Sequence, residues 1–339
     1  MLPFENCIRK VKYTNKIASQ DFKTFGRFPI VSQEEAFISG YWDNPEDVFH
    51  IDGPVVIFGD HSRHIKYVDF DFVIGADGVK ILAPTDNVSA KYLYYYLKSQ
   101  PIRSLGYSRH YKVLKEKTVP VPSLPEQRRI VDELDLLSRI VELKNAQLRT
   151  LDELAQSIFY EMFGDPQKNT MNWTAKAFKE VFRLKSGDGL KEKEFVPGEY
   201  PVYGGNGISG YHNSFNKSGQ HIIIGRVGAY CGNVRLVDDN FWLTDNAFEA
   251  FFDPQIFDFH FVCMLLNMLN LHKYANHAAQ PVISNTGLKD IPIIIPPMSK
   301  QIRYADCMKL VERQRKAISE SLNPAKDLLA SRMDKYFNE

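Results

Sequence analysis

Cysteine is scarce in this chain, and the four present, Cys7, Cys231, Cys263 and Cys307, lie far apart with no CxxC pair and no histidine at zinc spacing. That pattern argues against a disulfide framework or a zinc site, and the residues read as reduced core thiols. No apolar run approaches the ~20 residues that a membrane span needs. The amino terminus, MLPFENCIRK, has no secretory h-region, so the expected location is the cytoplasm, with no membrane partner. An excess of either charge is missing too, with 42 basic residues against 41 acidic ones. A protein that neutralises many phosphates alone shows a clear basic surplus. Any nucleic-acid surface here must therefore be local, or a partner must supply part of the phosphate contact.

Catalytic signatures are equally sparse. There is no GxxxxGK[ST], no Rossmann glycine fingerprint after a strand, no Asn-Pro-Pro-aromatic tetrapeptide, and no HExxH or GxSxG. The most chemical-looking run is Gly59–Arg63, where Asp60, His61 and His64 fall close together. It reads better as a polar turn offering donors to a ligand than as a catalytic cluster. These absences move the reading from enzyme to binder.

What the chain does have is one unit written twice. An advance of 174 positions takes Phe4 to Phe178, Leu114-Lys115 to Leu288-Lys289, Pro122 to Pro296, Gln127 to Gln301 and Asp165 to Glu339. Inside the copies, ISGY at Ile38–Tyr41 recurs at Ile208–Tyr211, Phe28-Pro29 meets Tyr200-Pro201, and IFGD at Ile57–Asp60 meets IIGR at Ile223–Arg226. The offset drifts inside each globular segment and returns at its ends, so the scaffolds match while the loops differ. The segments at about 1–121 and 168–297 carry short β-type runs (Gly53–Gly59, Tyr67–Ile74, Gln220–Gly225, Phe241–Thr244) punctuated by Gly, Asn and Asp. Each also has one aromatic-rich helix candidate, Lys91–Ser99 and Phe259–Leu271.

Each copy ends in a long helix, over 122–165 and 298–339. Pro125 suits a first helical turn and Glu126 complements its positive end. Ile130, Leu134, Leu137, Val141, Lys144, Leu148, Leu151, Ala155, Ile158 and Met162 then alternate in steps of four and three, and only Lys144 is polar. That is a coiled-coil seam rather than a generic amphipathic face. Some 38 helical residues span roughly 55–60 Å, longer than a ~100-residue globule is wide, so the helix serves as a spacer. The second copy repeats the seam as Tyr304, Met308, Val311, Arg315, Ile318, Leu322, Ala325, Leu329, Arg332 and Tyr336, with Pro324 inside it, where a kink is expected. A lone helix of this length leaves its stripe in water, so the two are expected to pair as an antiparallel coiled coil. The fold class is α+β, with two β-rich modules in tandem, each followed by a long helix.

The strings VPVPSLPEQRRIVDELD and RTLDELAQSIFYEMFGD in the first copy, and DIPIIIPPMSKQIRYAD and DLLASRMDKYF in the second, resemble the specificity subunit of type I restriction–modification systems. VIFGDHSRHIKYVDFDFVIGADGVKIL and IIIGRVGAYCGNVRLVDDNFWLTDNAF look like that family's target-recognition segments, and the likeness runs over essentially the whole chain. The resemblance implies a non-catalytic subunit in which each module reads one half of a split double-stranded DNA sequence. It implies that the paired helices set the distance between the half-sites. Two adenine methyltransferase subunits and a restriction/translocase subunit would dock on this frame. S-adenosylmethionine, ATP and Mg would sit on those partners, and this chain itself would bind no cofactor or metal. The second copy departs from the usual strip in having Lys300-Gln301 where the first has Glu126-Gln127.

Base readout uses Arg or Lys for guanine and Asn or Gln for adenine. In the first module the candidates are Lys12, Gln33, His61, Ser62 and Arg63, with Arg109, His110, Tyr111 and Lys112 in the stretch GYSRHYK. In the second they are Lys185, Asn206, His212, Arg226 and Arg235, with Gln280 and Asn285 in HAAQPVISNTG. Trp42, Trp173 and Trp242 read as core or domain-edge aromatics rather than stacking platforms. The rival readings are a fused enzyme with its own catalytic centre, a coiled-coil scaffold whose β modules bind protein, and an RNA-binding adaptor.

Overall fold

A computed structural model describes residues 1–103, 106, 108–276 and 280–338. The chain forms two compact units, Met1–Asn145 with Ser319–Glu339, and Ala146–Ile318. The two long helices, Leu124–Phe163 and Met298–Phe337, each give one part to either unit.

In the first unit, a sheet of Ile8–Arg9, Val79–Pro84, Val55–Gly59 and Ile65–Val68 lies beside a second sheet of Lys16–Ile17, Phe72–Gly75, Phe28–Val31, Gly40–Trp42 and Val48–Phe49. Period-two alternation decides how the shared strand packs. Val55 and Ile57 face the second sheet with Val31, Phe72 and Ile74, while Val56 and Phe58 face the helix Ala90–Ser99 with Tyr92, Leu93 and Tyr96. Covered on both faces, Val55–Gly59 reads as one unbroken apolar run. The apolar run Tyr67–Ile74 is two strands rather than one. It breaks at Asp69–Asp71, where the Asp71 carboxylate accepts the Ile51 N–H (3.0 Å) and meets His50 (2.6 Å).

In the second unit a six-stranded sheet runs in the order Arg183–Ser186, Ala247–Phe251, Lys217–Gly225, Val234–Leu243, Tyr200–Gly204, Gly207–His212. Ile222 and Ile224 face the helix Phe259–Met268, and Ile223 faces Val237, Phe241 and Leu243. The duplication holds at the level of strand register. Pro3 pairs with Thr118 as Ala177 pairs with Pro292, Arg9 with Ala83 as Arg183 with Phe251, and Pro29 with Tyr41 as Pro201 with Tyr211. The parallel pairing of Ile30 with Val73 likewise repeats as Val202 with Trp242.

Gln127 and Gln301, equivalent by the 174-residue offset, are both fully buried and do the same work. Gln127 accepts the Ser89 N–H (2.9 Å) and donates to the Asn87 and Pro122 carbonyls (2.8 and 2.9 Å). Gln301 accepts the Asp258 N–H (2.9 Å) and donates to the Ile256 and Pro296 carbonyls (2.9 Å each). Ser89 and Asp258 are themselves the N-caps of the domain helices. One amide thus fastens the start of each domain helix and the Pro-rich strip to the start of each long helix.

Within each unit the long helices run antiparallel. In the first unit Arg332 meets Glu133 at 3.0 Å and Lys144 donates to the Ser321 hydroxyl at 2.7 Å, so eleven residues forward on one helix are eleven back on the other. In the second unit Asp152 meets Arg315, and Phe163 meets Tyr304 with ring centroids 5.6 Å apart, the same step. The polar seam residues Lys144, Arg315 and Arg332 each find a partner on the opposite helix, which is how a seam accepts them. Among the seam residues, Ile130, Leu134, Met308, Val311 and Leu322 are buried, and Leu137, Val141, Leu148, Leu151, Ile158, Ile318 and Leu329 are half-buried. The helix continues on both sides of Pro324, where a kink is expected. The tryptophans sit half-buried at module edges, each indole N–H donating to protein oxygen: Trp42 to Asp47 (2.8 Å), Trp173 to Phe163 (2.9 Å) and Trp242 to Asp188 (3.2 Å). Among the described residues no helix is long and apolar enough to cross a membrane.

Candidate nucleic-acid interface

In the first module three of the sequence candidates, Gln33, His61 and Arg109, line one cleft of about 530 Å³ with Lys16, Asp77 and Lys80. The turn after Val55–Gly59 builds its wall. The His61 N–H donates to the Gln33 side-chain oxygen (3.1 Å), and the Ser62 hydroxyl donates to the Gln33 carbonyl. Gly78 forms the floor at φ +84°, where a Cβ would lie 2.5 Å from the Gln33 amide oxygen, so only glycine fits. From behind, the buried Lys66 ammonium donates to the Ser32 (2.9 Å) and Ala36 (2.5 Å) carbonyls on either side of Gln33. Burial pushes its pKa below the usual lysine value. The Gln33 side chain is thus oriented: its oxygen is engaged and its NH₂ is the group left to face a ligand.

The rest of the first-module set separates. His110 is fully buried; its N–H donates to the Asp60 carbonyl (2.8 Å) and its Nδ1 lies 2.9 Å from the same oxygen. In this structure it ties its loop to the end of the strand Val55–Gly59. Tyr111 is half-buried against Phe4 and Phe58, and its N–H is held by Asp60 (2.7 Å). Arg63, at φ +66°, is exposed and donates to the Ile102 carbonyl (3.0 Å). Ser62 is half-buried and spent on Gln33, while Lys112 is exposed. Lys12 lines a separate hollow of about 270 Å³ with Arg9, Lys10 and Asp52.

The corresponding cleft of the second module is larger, about 1040 Å³, and carries different groups: Lys191, Lys193 and Glu194 along one loop, Asn206 on the hairpin turn, and Asp245 and Asn246 opposite. The backbones meet so closely that a Cβ on Gly205 would lie 2.6 Å from the Val227 carbonyl. Arg235 occupies the strand position of Lys66, since Ile57 pairs with Lys66 as Ile223 pairs with Arg235. Its guanidinium lies along Gly207, as Lys66 grips the equivalent turn. Arg226 stands at the end of its strand, beneath Asp245. His212 is buried, accepts the Val196 N–H (3.0 Å) and packs against Phe195 and Trp242. Lys185, Gln280 and Asn285 are exposed. Tyr107 and His277–Ala279, within the two candidate loops, lie outside the described residues. Lys16 and Lys80 belong to the site but fall in no motif; only the sheet order brings them to the cleft. The two clefts lie at equivalent ends of equivalent strands and present different donors and acceptors.

A repeated β-rich module with an equivalent cleft in each copy, on long paired helices, suits a two-site recognition protein. The model of the type I restriction modification DNA specificity domain matches twice, over residues 10–153 and 171–324, and the chain belongs to that family. It is 28% identical over 217 residues to the Type I restriction enzyme EcoprrI specificity subunit of Escherichia coli, a match covering 59% of this chain and 53% of that protein. It is 26% identical over 168 residues to a putative type I specificity subunit of Mycoplasma pneumoniae, covering 47% of this chain and 55% of that one. The matches thus span about half the length of these curated relatives. Among solved structures it resembles the type I restriction-modification S subunit from M. genitalium, at 16% identity and TM-score 0.66 over 99% of this chain and 95% of that one, a likeness of fold.

Proposed function

We propose that this chain is the non-catalytic DNA-addressing subunit of a type I restriction–modification complex in the cytoplasm. Each module reads one half of a bipartite duplex target, and the paired helices set the spacing of the halves. The observation that carries this reading is the pair of equivalent clefts, built on one register and furnished with different side chains. Gln33, His61 and Arg109 meet in one; Asn206, Asp245 and Asn246 meet in the other. A duplicated scaffold with divergent polar clefts suits two different base sequences better than one repeated ligand.

Chemistry then belongs to partners: two adenine methyltransferase subunits and a restriction/translocase subunit, which carry S-adenosylmethionine, ATP and Mg. Exposed leucines on the long helices support such docking. Leu136 and Leu143, one heptad apart and away from the seam, are 63% and 46% exposed, an apolar stripe that a partner helix would cover.

The test is single-molecule mapping of N6-methyladenine in cells expressing this chain with a type I methyltransferase subunit that assembles with it, against cells lacking this chain. The expected result is a split motif with a constant gap, present only with this chain. No new methylation from a soluble, assembled complex would overturn the reading.

A further inference from the structure

The residue that follows the strand-end glycine is clamped by the same two main-chain bonds in both modules, yet its charge is reversed. The Asp60 N–H donates to the Gly78 carbonyl (2.7 Å), and the Asp60 carbonyl accepts from His110 (2.8 Å). The Arg226 N–H donates to the Asn246 carbonyl (2.9 Å), and the Arg226 carbonyl accepts from Ile283 (2.8 Å). The Asp60 side chain is buried and satisfied within the protein: one oxygen takes the Tyr111 N–H at 2.7 Å and the other lies 3.7 Å from the Lys80 ammonium.

Arg226 has no such closure. Its Nη1 makes two long bonds, 3.3 Å each, to the Ser186 hydroxyl and the Asp245 carbonyl, and its Nε is buried with no partner. The Phe248 ring lies 5.3 Å from the guanidinium carbon. Among the described residues no carboxylate lies within ion-pair distance of it. With Nη1 engaged and Nε covered, Nη2 and the positive charge are what the guanidinium can offer to an anion, in a charge-assisted hydrogen bond.

We propose that Arg226 seats one DNA backbone phosphate at the rim of the second module's cleft, an anion site for which the first module has no equivalent. This rests on the DNA-addressing reading above and deepens it. A base edge is a poorer ligand. Reading guanine needs two guanidinium nitrogens extended in one plane into the groove, whereas Arg226 is held back against Phe248 with Nη1 engaged and Nε covered. A phosphate oxygen comes to the protein surface and needs only the remaining terminal nitrogen, assisted by charge. The consequence is an asymmetric complex, because the first module must draw its phosphate contacts from Lys16, Lys80 and Arg109 instead.

The experiment uses the assembled complex with its methyltransferase subunits and duplexes carrying the mapped target, each with a single phosphate replaced by a neutral methylphosphonate. Wild type is expected to lose affinity roughly tenfold at one position in the half-site of the second module. The R226Q complex is expected to bind all sequences more weakly by a similar factor and to become insensitive to that same replacement. Its dependence of log K on log salt is expected to be shallower by about 1. R226K, which keeps the charge, restores part of the affinity and guards against a folding defect. A changed preference at one base pair in R226Q would make Arg226 a base reader and overturn the assignment. Unchanged affinity and salt slope would overturn it as well. A wild-type complex with no sequence preference on any duplex would remove the DNA reading itself, a different failure.

Discussion

At the scale of single residues, the buried side chains with the most defined tasks are amides and a lysine, not the residues that look most reactive. Gln127, itself fully buried, satisfies one N–H and two carbonyls of partly buried segments. Gln127→Leu keeps much of the volume and orphans all three groups. We expect a loss of about 2–5 kcal/mol, read as a lower urea midpoint of the intact chain. A loss below about 1 kcal/mol would mean that water or a neighbour replaces the amide. Nothing about Gln127 in isolation signals this task; its recurrence as Gln301 does, because two copies kept the same polar residue just inside a helix start. Lys66 shows the opposite case. Its sequence neighbours mark it as one residue of a strand, and only folding brings the Ser32 and Ala36 carbonyls to it. His110 and His212 are candidate readers by type, yet folding leaves both buried.

At the scale of elements, the second unit has a titrating link between its domain helix and its long helix. His260 lies 3.6 Å from Asp258 and 3.5 Å from Glu312, and those two carboxylates raise its pKa from 6.5 to about 9. A pKa raised on folding means that the folded state holds the proton more tightly. The stabilisation is therefore complete below about pH 6.5 and is lost as pH rises through about 9. Glu312 is 56% exposed, so screening reduces the effect to about 1–3 kcal/mol. The neighbouring Cys263 thiol, which burial pushes up to about 11, stays protonated across that window. Thermal unfolding between pH 6 and 9.5 should show a falling Tm in the wild-type chain and a flatter profile in His260→Gln. Parallel profiles would discard the link. The helices and seam behind this contact were readable from a four-three apolar rhythm, which is a local property of the chain. The pairing of His260 with Glu312 was not, since 52 residues separate them.

At the scale of the whole molecule, near-neutral charge meets a proposed polyanionic ligand. With 42 basic and 41 acidic residues, few phosphates can be neutralised by this chain unaided. We expect the isolated chain to bind duplex DNA weakly, with a shallow dependence of log K on log salt. The complex with methyltransferase subunits should give a slope steeper by about 0.9 for each phosphate the partners contact. Equal slopes would mean that this chain makes all the ionic contacts, and the shared-charge argument would fall.

Period and repetition reached far into this fold. Two copies, two spacer helices and their seam follow from spacings along the chain, because helix and strand periods are set by backbone geometry that every residue shares. The strand registers then repeat pair for pair, as two copies of one scaffold must. What only the tertiary structure decided is which polar groups meet. Lys16, Lys80 and Arg109 join Gln33 in one cleft from three separate segments, and Arg226 meets a hydroxyl and a carbonyl where Asp60 is closed in by Tyr111 and Lys80. Those meetings depend on loop paths and sheet order, and a polar side chain carries no periodic mark of the partner that folding will bring to it.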